Sequence, residues 1–224
     1  MFYEYNLTYL FNNTLSADNL TNIDLLLVSE NSVSNESAVT INNFMSNGGH
    51  VWFFGDPRFN SSGSLMGTRF EMFTTASNSA YEITKNSTLT FVSDSITAGL
   101  PASYKKDGAT ARSTYARKHA SDTGTIGNYT YKALCSMYWD CRLMVKYENT
   151  TTGSKVLYSN PDCFISGGSA NYFNRSVSTQ LFNQAKTWIL DLEKNNYNVQ
   201  ITYPKGDKVY TTTLDDMFLS DSEI

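Results

Sequence analysis

Three acidic side chains and one arginine of this 224-residue chain follow segments that have the pattern of buried strands. Glu30 follows IDLLLVS, Asp56 and Arg58 follow HVWFFG, and Asp162 follows KVLYSNP. In open parallel sheets, ligands bind beyond the carboxyl ends of the strands. Carboxylates beside Tyr and Trp suit sugar hydroxyls, which need acceptors and a flat apolar surface. They would also suit Ca²⁺, and the plainer alternative is that Asp56 and Asp162 cap turns.

The same carboxylates leave an enzymatic alternative open. Two of the side chains Glu30, Asp56 and Asp162 could serve a carbohydrate-active hydrolase, in which a pair of carboxyls flanks the scissile bond. The sequence has no Gly-x-Cys-x-Gly elbow, no Ser-His-Asp arrangement in its usual context and no Gly-rich phosphate loop after a strand. We therefore expect no catalytic residue and no cofactor. We also expect no metal site, since His50 and His119 are both far from any cysteine in the sequence.

Cys135 and Cys141 lie close together in LCSMYWDCRL. If two antiparallel strands run out and back there, the two side chains face each other across a hairpin. In an oxidising compartment such a pair forms a disulfide. Cys163 is then left over, and we expect it to be a small buried apolar residue.

The composition indicates a protein from outside the cytoplasm. Charged residues make up 17% of the chain, against a usual figure of about 25%. Polar residues without charge fill the gap, with 26 Ser, 25 Thr and 22 Asn. The net charge of −4 gives no reason to expect nucleic acid as a partner. The basic stretch KKDGATARSTYARKH, residues 105–119, could bind an anion, but its alternation with Ser, Thr and Ala favours a solvated strand or loop.

Nine Asn-x-Ser/Thr triplets point to the same compartment, where composition alone would give about five. They predict N-glycosylation of an extracellular or cell-surface protein, although a chain so rich in these residues forms some triplets by chance. The N-terminal segment lacks the features of an export signal, so export would require a signal upstream of Met1. No apolar run is long enough to span a membrane. The nine triplets begin at Asn6, Asn12, Asn19, Asn35, Asn60, Asn86, Asn128, Asn149 and Asn174.

The elements that would position these residues follow from hydrophobic periodicity. Residues 23–29 and 50–55 are apolar runs typical of strands buried on both faces. Between them, Ser34 or Ser37 opens a helix that ends at Asn47-Gly48-Gly49, so the three elements form a βαβ unit. Residues 130–147 predict two antiparallel strands and residues 177–192 an amphipathic helix. Residues 57–125 look irregular apart from a short strand at 89–92, and NVQITYP-KGD-KVYTTT predicts a β-hairpin.

The order of these motifs resembles a known family. The segment IDLLLVSENSVSNESAVTINNFMSNGGHVWFFGDP, the stretch SITAGLP and KVLYSNPDCFISGGSANYFN…LFNQAKTWIL are similar to class I glutamine-amidotransferase-like domains over residues 3–192. The resemblance is to the non-catalytic branch, with its trehalose-utilisation-like, gliding-motility and intraflagellar-transport relatives. The Cys elbow and the C-terminal His-x-Glu pair of the catalytic branch are missing, and Cys163 has Asp162 and Phe164 as neighbours.

The resemblance implies an α/β fold, a three-layer sandwich around a mainly parallel, flavodoxin-like sheet, plus a C-terminal β-hairpin. Residues 1–194 would form this domain, with the family's first strand missing, and residues 195–224 the hairpin and an acidic tail. We hypothesise a non-catalytic binding or structural domain of an exported cell-surface protein, with a glycan or another surface protein as its partner. The hydrolase remains the alternative. A third possibility is an assembly module whose partner covers the sheet edge left by the missing strand.

Overall fold

The computed structural model describes residues 6–10, 15–28, 33–54, 70, 72, 77–83, 87–106, 112–118, 121–137, 141–160, 163–164, 172–190 and 198–202. Within these ranges, residues 6–10, 77–83, 112–118, 141 and 198–202 are described by their backbone. Glu30, Asp56, Arg58 and Asp162 lie outside the described residues.

Twelve strands and two α-helices make up the described part of the chain. The helices are α1 (Asn35–Ser46) and α2 (Arg175–Leu190), and Ala17–Leu20 forms a short 3₁₀ helix. The strands are β1 (Asn6–Leu10), β2 (Leu25–Val28), β3 (His50–Phe54), β4 (Ser77–Ile83), β5 (Thr88–Phe91), β6 (Ser103–Lys105), β7 (Arg112–Lys118), β8 (Thr123–Ile126), β9 (Tyr129–Ser136), β10 (Cys141–Asn149), β11 (Lys155–Ser159) and β12 (Asn198–Thr202).

The described strands belong to one mixed sheet with a parallel half and an antiparallel half. Its main order is β1-β12-β2-β3-β11-β10-β9-β5-β6, with β4 paired to β7, β7 also to β10, and β8 to β9. In this spatial order, the neighbouring strands β1, β12, β2, β3 and β11 pair in parallel. The pairs β11-β10, β10-β9, β9-β5 and β5-β6 are antiparallel. The antiparallel half is larger than we expected, because β4, β6, β7 and β8 form within the segment that the sequence indicated as irregular.

The βαβ unit forms where its start and stop signals predicted. The Ser34 hydroxyl accepts a hydrogen bond from the Ser37 N–H at 3.1 Å, which caps α1. At the other end, the Gly48 N–H donates to the Met45 carbonyl and the Gly49 N–H to the Phe44 carbonyl, each at 3.0 Å. This is the Schellman pattern, and Gly48 supplies its left-handed residue with a φ of 90°. The chain therefore leaves α1 directly into β3, which pairs in parallel with β2.

Alternate residues of the parallel strands point to two separate cores. One face packs against α2 and the other against α1, which makes three layers. The α2 side includes Leu25, Leu27, Trp52, Phe54 and Leu157 from the sheet, with Leu181, Phe182, Ala185 and Ile189 from the helix. The α1 side includes Leu26, Val28, Val51, Phe53 and Val156, with Ala38, Ile41 and Met45. Strands that are buried on both faces explain the continuous apolar runs in the sequence, and the α/β three-layer fold class is confirmed.

β12 occupies the sheet position of the family's first strand, which the sequence indicated to be missing. The segment predicted as the first arm of a C-terminal hairpin pairs in parallel with β1 on one side, Asn198 opposite Asn6, and with β2 on the other, Val199 opposite Leu25. The resulting order β1-β12-β2-β3-β11 corresponds to the flavodoxin-like order 2-1-3-4-5, with β12 in the place of strand 1. Residues 198–202 therefore belong to the α/β domain, and the second arm of the predicted hairpin lies outside the described residues.

Neither helix of the described chain has the length and apolar character needed to cross a bilayer. This agrees with the expectation drawn from the sequence.

Candidate functional site

The strands that precede the predicted ligand residues end side by side. β2, β3 and β11 are adjacent and parallel, with Val28 opposite Phe53 and Phe54 opposite Ser159. Glu30 is two residues beyond Val28, Asp56 two beyond Phe54, and Asp162 three beyond Ser159. The predicted convergence of these strand ends is confirmed. The contact among the side chains of Glu30, Asp56, Arg58 and Asp162 stays a prediction, because all four lie outside the described residues.

Buried aromatic side chains pack together in the core between these strands and α2. The Trp52 indole N–H donates to the Ser159 hydroxyl at 2.8 Å, and both side chains are fully buried. The Trp52 ring stacks on Phe54 and Phe182 at centroid distances of 4.5 and 5.4 Å, and Phe164 meets it edge-on at 5.6 Å. A buried indole whose N–H is satisfied holds its orientation firmly. The strands therefore end on a closely packed aromatic core.

Two backbone hydrogen bonds follow the end of β11. The Asn160 N–H donates to the Leu143 carbonyl of β10 at 2.8 Å, and the Cys163 N–H donates to the Asn160 carbonyl at 3.0 Å. Asn160 and Cys163 are both buried. The two bonds hold Asn160 against β10 and Cys163 against Asn160, directly after the end of β11.

The structure does not contain the predicted disulfide between Cys135 and Cys141. Cys135 is a free thiol with zero exposure, and its cross-strand partner is Met144. The backbone of Cys141 pairs instead with Lys118 of β7. The two cysteines do lie on antiparallel strands, as predicted, but the register sets Arg142 opposite Ser136 and Met144 opposite Cys135, so Cys135 and Cys141 are not cross-strand neighbours. Cys163 is fully buried, as expected for a small apolar residue.

A charged cluster on the antiparallel half was not identified from the sequence. The Asp94 carboxylate lies 2.9 Å from the Lys146 Nζ and 3.1 Å from the Lys132 Nζ, and it accepts the Ile96 N–H at 3.2 Å. Its side chain is only 5% exposed. Burial by itself would raise the pKa of Asp94, but the bonds from Lys146, Ile96 and Lys132 together hold that pKa below its ordinary value. The cluster joins residues 94, 132 and 146, which no local pattern links.

The lysines of this region also pack on α2. Lys146 and Lys155 lie over the Trp188 ring at 5.2 and 5.8 Å from its centroid, and the Lys155 Nζ donates to the Trp188 carbonyl at 2.9 Å. Each of these cations thus has a protein partner, which is typical of a structural network.

The stretch SITAGLP, part of the family resemblance, has a structural role here. The Thr97 hydroxyl donates to the Val92 carbonyl at 2.5 Å and closes the turn after β5. The amide groups of Gln180 and Gln184 on α2 both donate to the Ala98 carbonyl, at 2.8 and 2.9 Å. Gly99 has a φ of 75°, which a residue with a side chain adopts at a cost. The motif therefore docks a sheet turn onto α2.

The basic stretch of residues 105–119 is partly buried and partly a strand. The Lys105 Nζ donates to the Thr88 hydroxyl across β5 and β6 at 2.7 Å. Lys106 is 1% exposed, so the expectation of a fully solvated stretch is wrong at this residue. Residues 112–118 form β7, which agrees with the strand interpretation, and His119 lies outside the described residues.

The described glycosylation candidates differ in accessibility. Asn35 and Asn128 are exposed. Asn149 is 8% exposed, and its side-chain oxygen accepts the N–H groups of Thr151 and Thr152 at 2.9 and 3.0 Å. Asn174 is exposed, and its oxygen accepts the Val177 N–H at the start of α2. A glycan therefore fits Asn35 and Asn128 more readily than Asn149.

Two further glycosylation candidates, Asn19 and Asn6, lie in described elements. Asn19 is half-buried, and its oxygen accepts the Ser16 N–H at 3.0 Å. Asn6 is described by its backbone in β1. Asn12, Asn60 and Asn86 lie outside the described residues.

No protein-family model matches the chain, and no curated protein matches it. Among solved structures, the chain is similar to a protein of Bacteroides uniformis described as ThuA-like, at 12% sequence identity and a TM-score of 0.48. The alignment covers 81% of this chain and 75% of that protein. A likeness of this extent carries no conclusion about function, and the architecture given above rests on the sheet and the helices themselves.

Proposed function

We propose that the chain is a non-catalytic, carbohydrate-binding domain of an exported cell-surface protein, related to the non-catalytic amidotransferase-like domains that its motifs resemble. The observation that carries the proposal is that β2, β3 and β11 end side by side in the parallel half of the sheet. Glu30, Asp56, Arg58 and Asp162 are the residues that would bind the ligand there. The carboxylates would accept bonds from sugar hydroxyls, and Arg58 would offset their mutual repulsion.

The cysteines support a binding role over amidotransferase chemistry. A nucleophilic thiolate must be reachable and stand in a setting that lowers its pKa. Cys135 and Cys163 have zero exposure, and Cys141 is the first residue of the antiparallel strand β10. The sequence lacks the flanking glycines at all three positions.

The hydrolase alternative also draws support from the strand arrangement. Neighbouring strands lie about 4.8 Å apart, so carboxyls that follow β2, β3 and β11 could fall within the roughly 5–10 Å separation that glycosidases use. The two functions differ in the fate of the sugar, since a binding domain returns it unchanged.

The proposal predicts that the double variant Asp56→Ala/Asp162→Ala loses glycan binding and keeps its fold. Purified protein from a secreting host is applied to a glycan array, and circular dichroism verifies folding. We expect at least tenfold weaker binding, because two acceptors of sugar hydroxyls are lost. Glu148→Ala is the control, since Glu148 is a 47% exposed carboxylate of β10, away from the proposed ligand site. Equal binding by the double variant and the wild type would contradict the proposed site.

A further inference from the structure

A groove of about 400 Å³ lies at the amino ends of β2 and β3. These ends are opposite to the carboxyl ends of the strands, where the first candidate site was predicted. The 3₁₀ helix, the C-terminal turn of α1 and the amino ends of the two strands surround it. Its volume is within the range of roughly 300–1,000 Å³ in which small molecules bind. Its lining includes Leu20, Asp24, Asn43, Phe44, Asn47 and His50.

The groove has an apolar wall and a polar rim. Phe44 is half-buried, and its ring lies against Gly49 so closely that a Cβ added there would come within 2.4 Å of the ring. Asn43 and Asn47 also line the groove and are exposed; Asn43 lies in the last turn of α1, and Asn47 directly follows the helix. Each carboxamide offers both a donor and an acceptor. An aromatic ring flanked by carboxamides matches a sugar, which has an apolar face and a rim of hydroxyls that donate and accept.

The backbone around the groove is held in place by bonds from other elements. The His50 N–H donates to the Asp24 carbonyl at 3.2 Å, and the Lys155 N–H donates to the His50 Nδ1 at 3.1 Å. The neutral His50 ring therefore carries its proton on Nε2. The Ser154 hydroxyl donates to the Gly49 carbonyl. A groove fixed in this way loses little conformational entropy when a ligand binds.

The charges around the groove favour a ligand without negative charge. Among the described residues, its lining contains Asp24 and no Lys or Arg. The C-terminus of α1, whose last carbonyls carry partial negative charge, also ends here. A Ca²⁺ ion needs six to eight oxygen ligands, whereas no group of three or more His, Cys, Asp and Glu side chains occurs among the residues that the structure describes.

We infer that this groove is a second ligand site, which binds a neutral saccharide the size of one hexose. The Phe44 ring would pack on the apolar face of the sugar, and the carboxamides of Asn43 and Asn47 would bind its hydroxyls. The groove is separate from the carboxyl ends of β2, β3 and β11, so this inference does not depend on the function proposed above.

The test is an amide chemical-shift titration of the isotope-labelled chain with D-glucose, D-galactose, D-mannose and N-acetyl-D-glucosamine. We expect at least one sugar to shift the amides of Gly48, Gly49 and His50, and D-glucuronate to bind more weakly than D-glucose. Asn43→Ala should weaken binding about fivefold to tenfold, through the loss of its hydrogen bonds. Gly49→Ala should also weaken binding, because the Phe44 ring must move. Asn183→Ala, an exposed asparagine on α2, is the matched control and should bind as the wild type does.

Three outcomes would overturn the inference. They are the absence of a shift at the three amides with all four sugars, tighter binding of glucuronate, or unchanged affinity in Asn43→Ala. If the sugars shift only the amides of Val28, Phe54 and Ser159, the first of these outcomes holds, and the site at the ends of β2, β3 and β11 is supported instead.

Discussion

Asp94 shows how a residue can be decisive for the structure without a signal in the local sequence. Its carboxylate forms ion pairs with Lys132 of β9 and Lys146 of β10, and it accepts a hydrogen bond from the Ile96 N–H. The sequence shows an ordinary aspartate before a turn, because lysines 38 and 52 positions away give no local pattern. Such long-range pairing becomes visible only when the strand register is known.

The depressed pKa of Asp94 gives a pH-dependent contribution to stability. Because the folded-state pKa lies below the unfolded value of about 3.9, the contribution is fully present above that value and is lost as the pH falls through the folded pKa. We expect Asp94→Asn to lower the free energy of unfolding by roughly 2 kcal/mol at about pH 7. The difference from the wild type should shrink toward about pH 3.

Urea unfolding of the two proteins at both pH values measures this contribution. Glu148→Gln is the control, since Glu148 is 47% exposed and lies 3.8 Å from the same Lys146. An exposed pair of this kind should be worth less than about 1 kcal/mol. A stability difference for Asp94→Asn that does not change with pH would contradict the assigned role of the carboxylate.

At the scale of elements, local signals identified those elements whose neighbours lie close in the sequence. Ser34, the Asn47-Gly48-Gly49 stop and the apolar runs of residues 23–29 and 50–55 placed the β2-α1-β3 unit correctly. β4, β6 and β8 were missed, because they lie within a stretch rich in polar residues and turn signals. β12 was assigned to a hairpin because the following KGD suggests a turn, whereas its actual partners, β1 and β2, are far away in the sequence.

The interior position of β12 predicts that proline at its centre is severely destabilising. Gln200 lies between Thr8 of β1 and Leu26 of β2. Gln200→Pro removes a backbone N–H and introduces a ring into an interior strand, so we expect a loss of about 3 kcal/mol or more. Gln200→Val keeps the N–H and suits a strand, so it serves as the control. Urea midpoints of the three proteins provide the measurement, and a midpoint for Gln200→Pro equal to that of the wild type would place β12 outside the sheet interior.

For the whole molecule, the sequence predicted the layers better than the ligand site. Continuous apolar runs required strands covered on both faces, and the two cores against α1 and α2 meet that requirement. For the candidate site, the sequence predicted that β2, β3 and β11 end next to one another, and the structure agrees. The groove beside α1 was missed, because Asp24, Asn43 and His50 come from separate segments of the chain and only the fold brings them together.

The central claim is that the molecule binds carbohydrate without altering it. The most direct measurement combines calorimetric titration of a glycan selected from the array with mass spectrometry of that glycan after prolonged incubation with the protein. We predict saturable binding and full recovery of the intact glycan. Release of shortened saccharides, at a rate that falls in Asp56→Ala/Asp162→Ala, would contradict the claim and establish the hydrolase in its place.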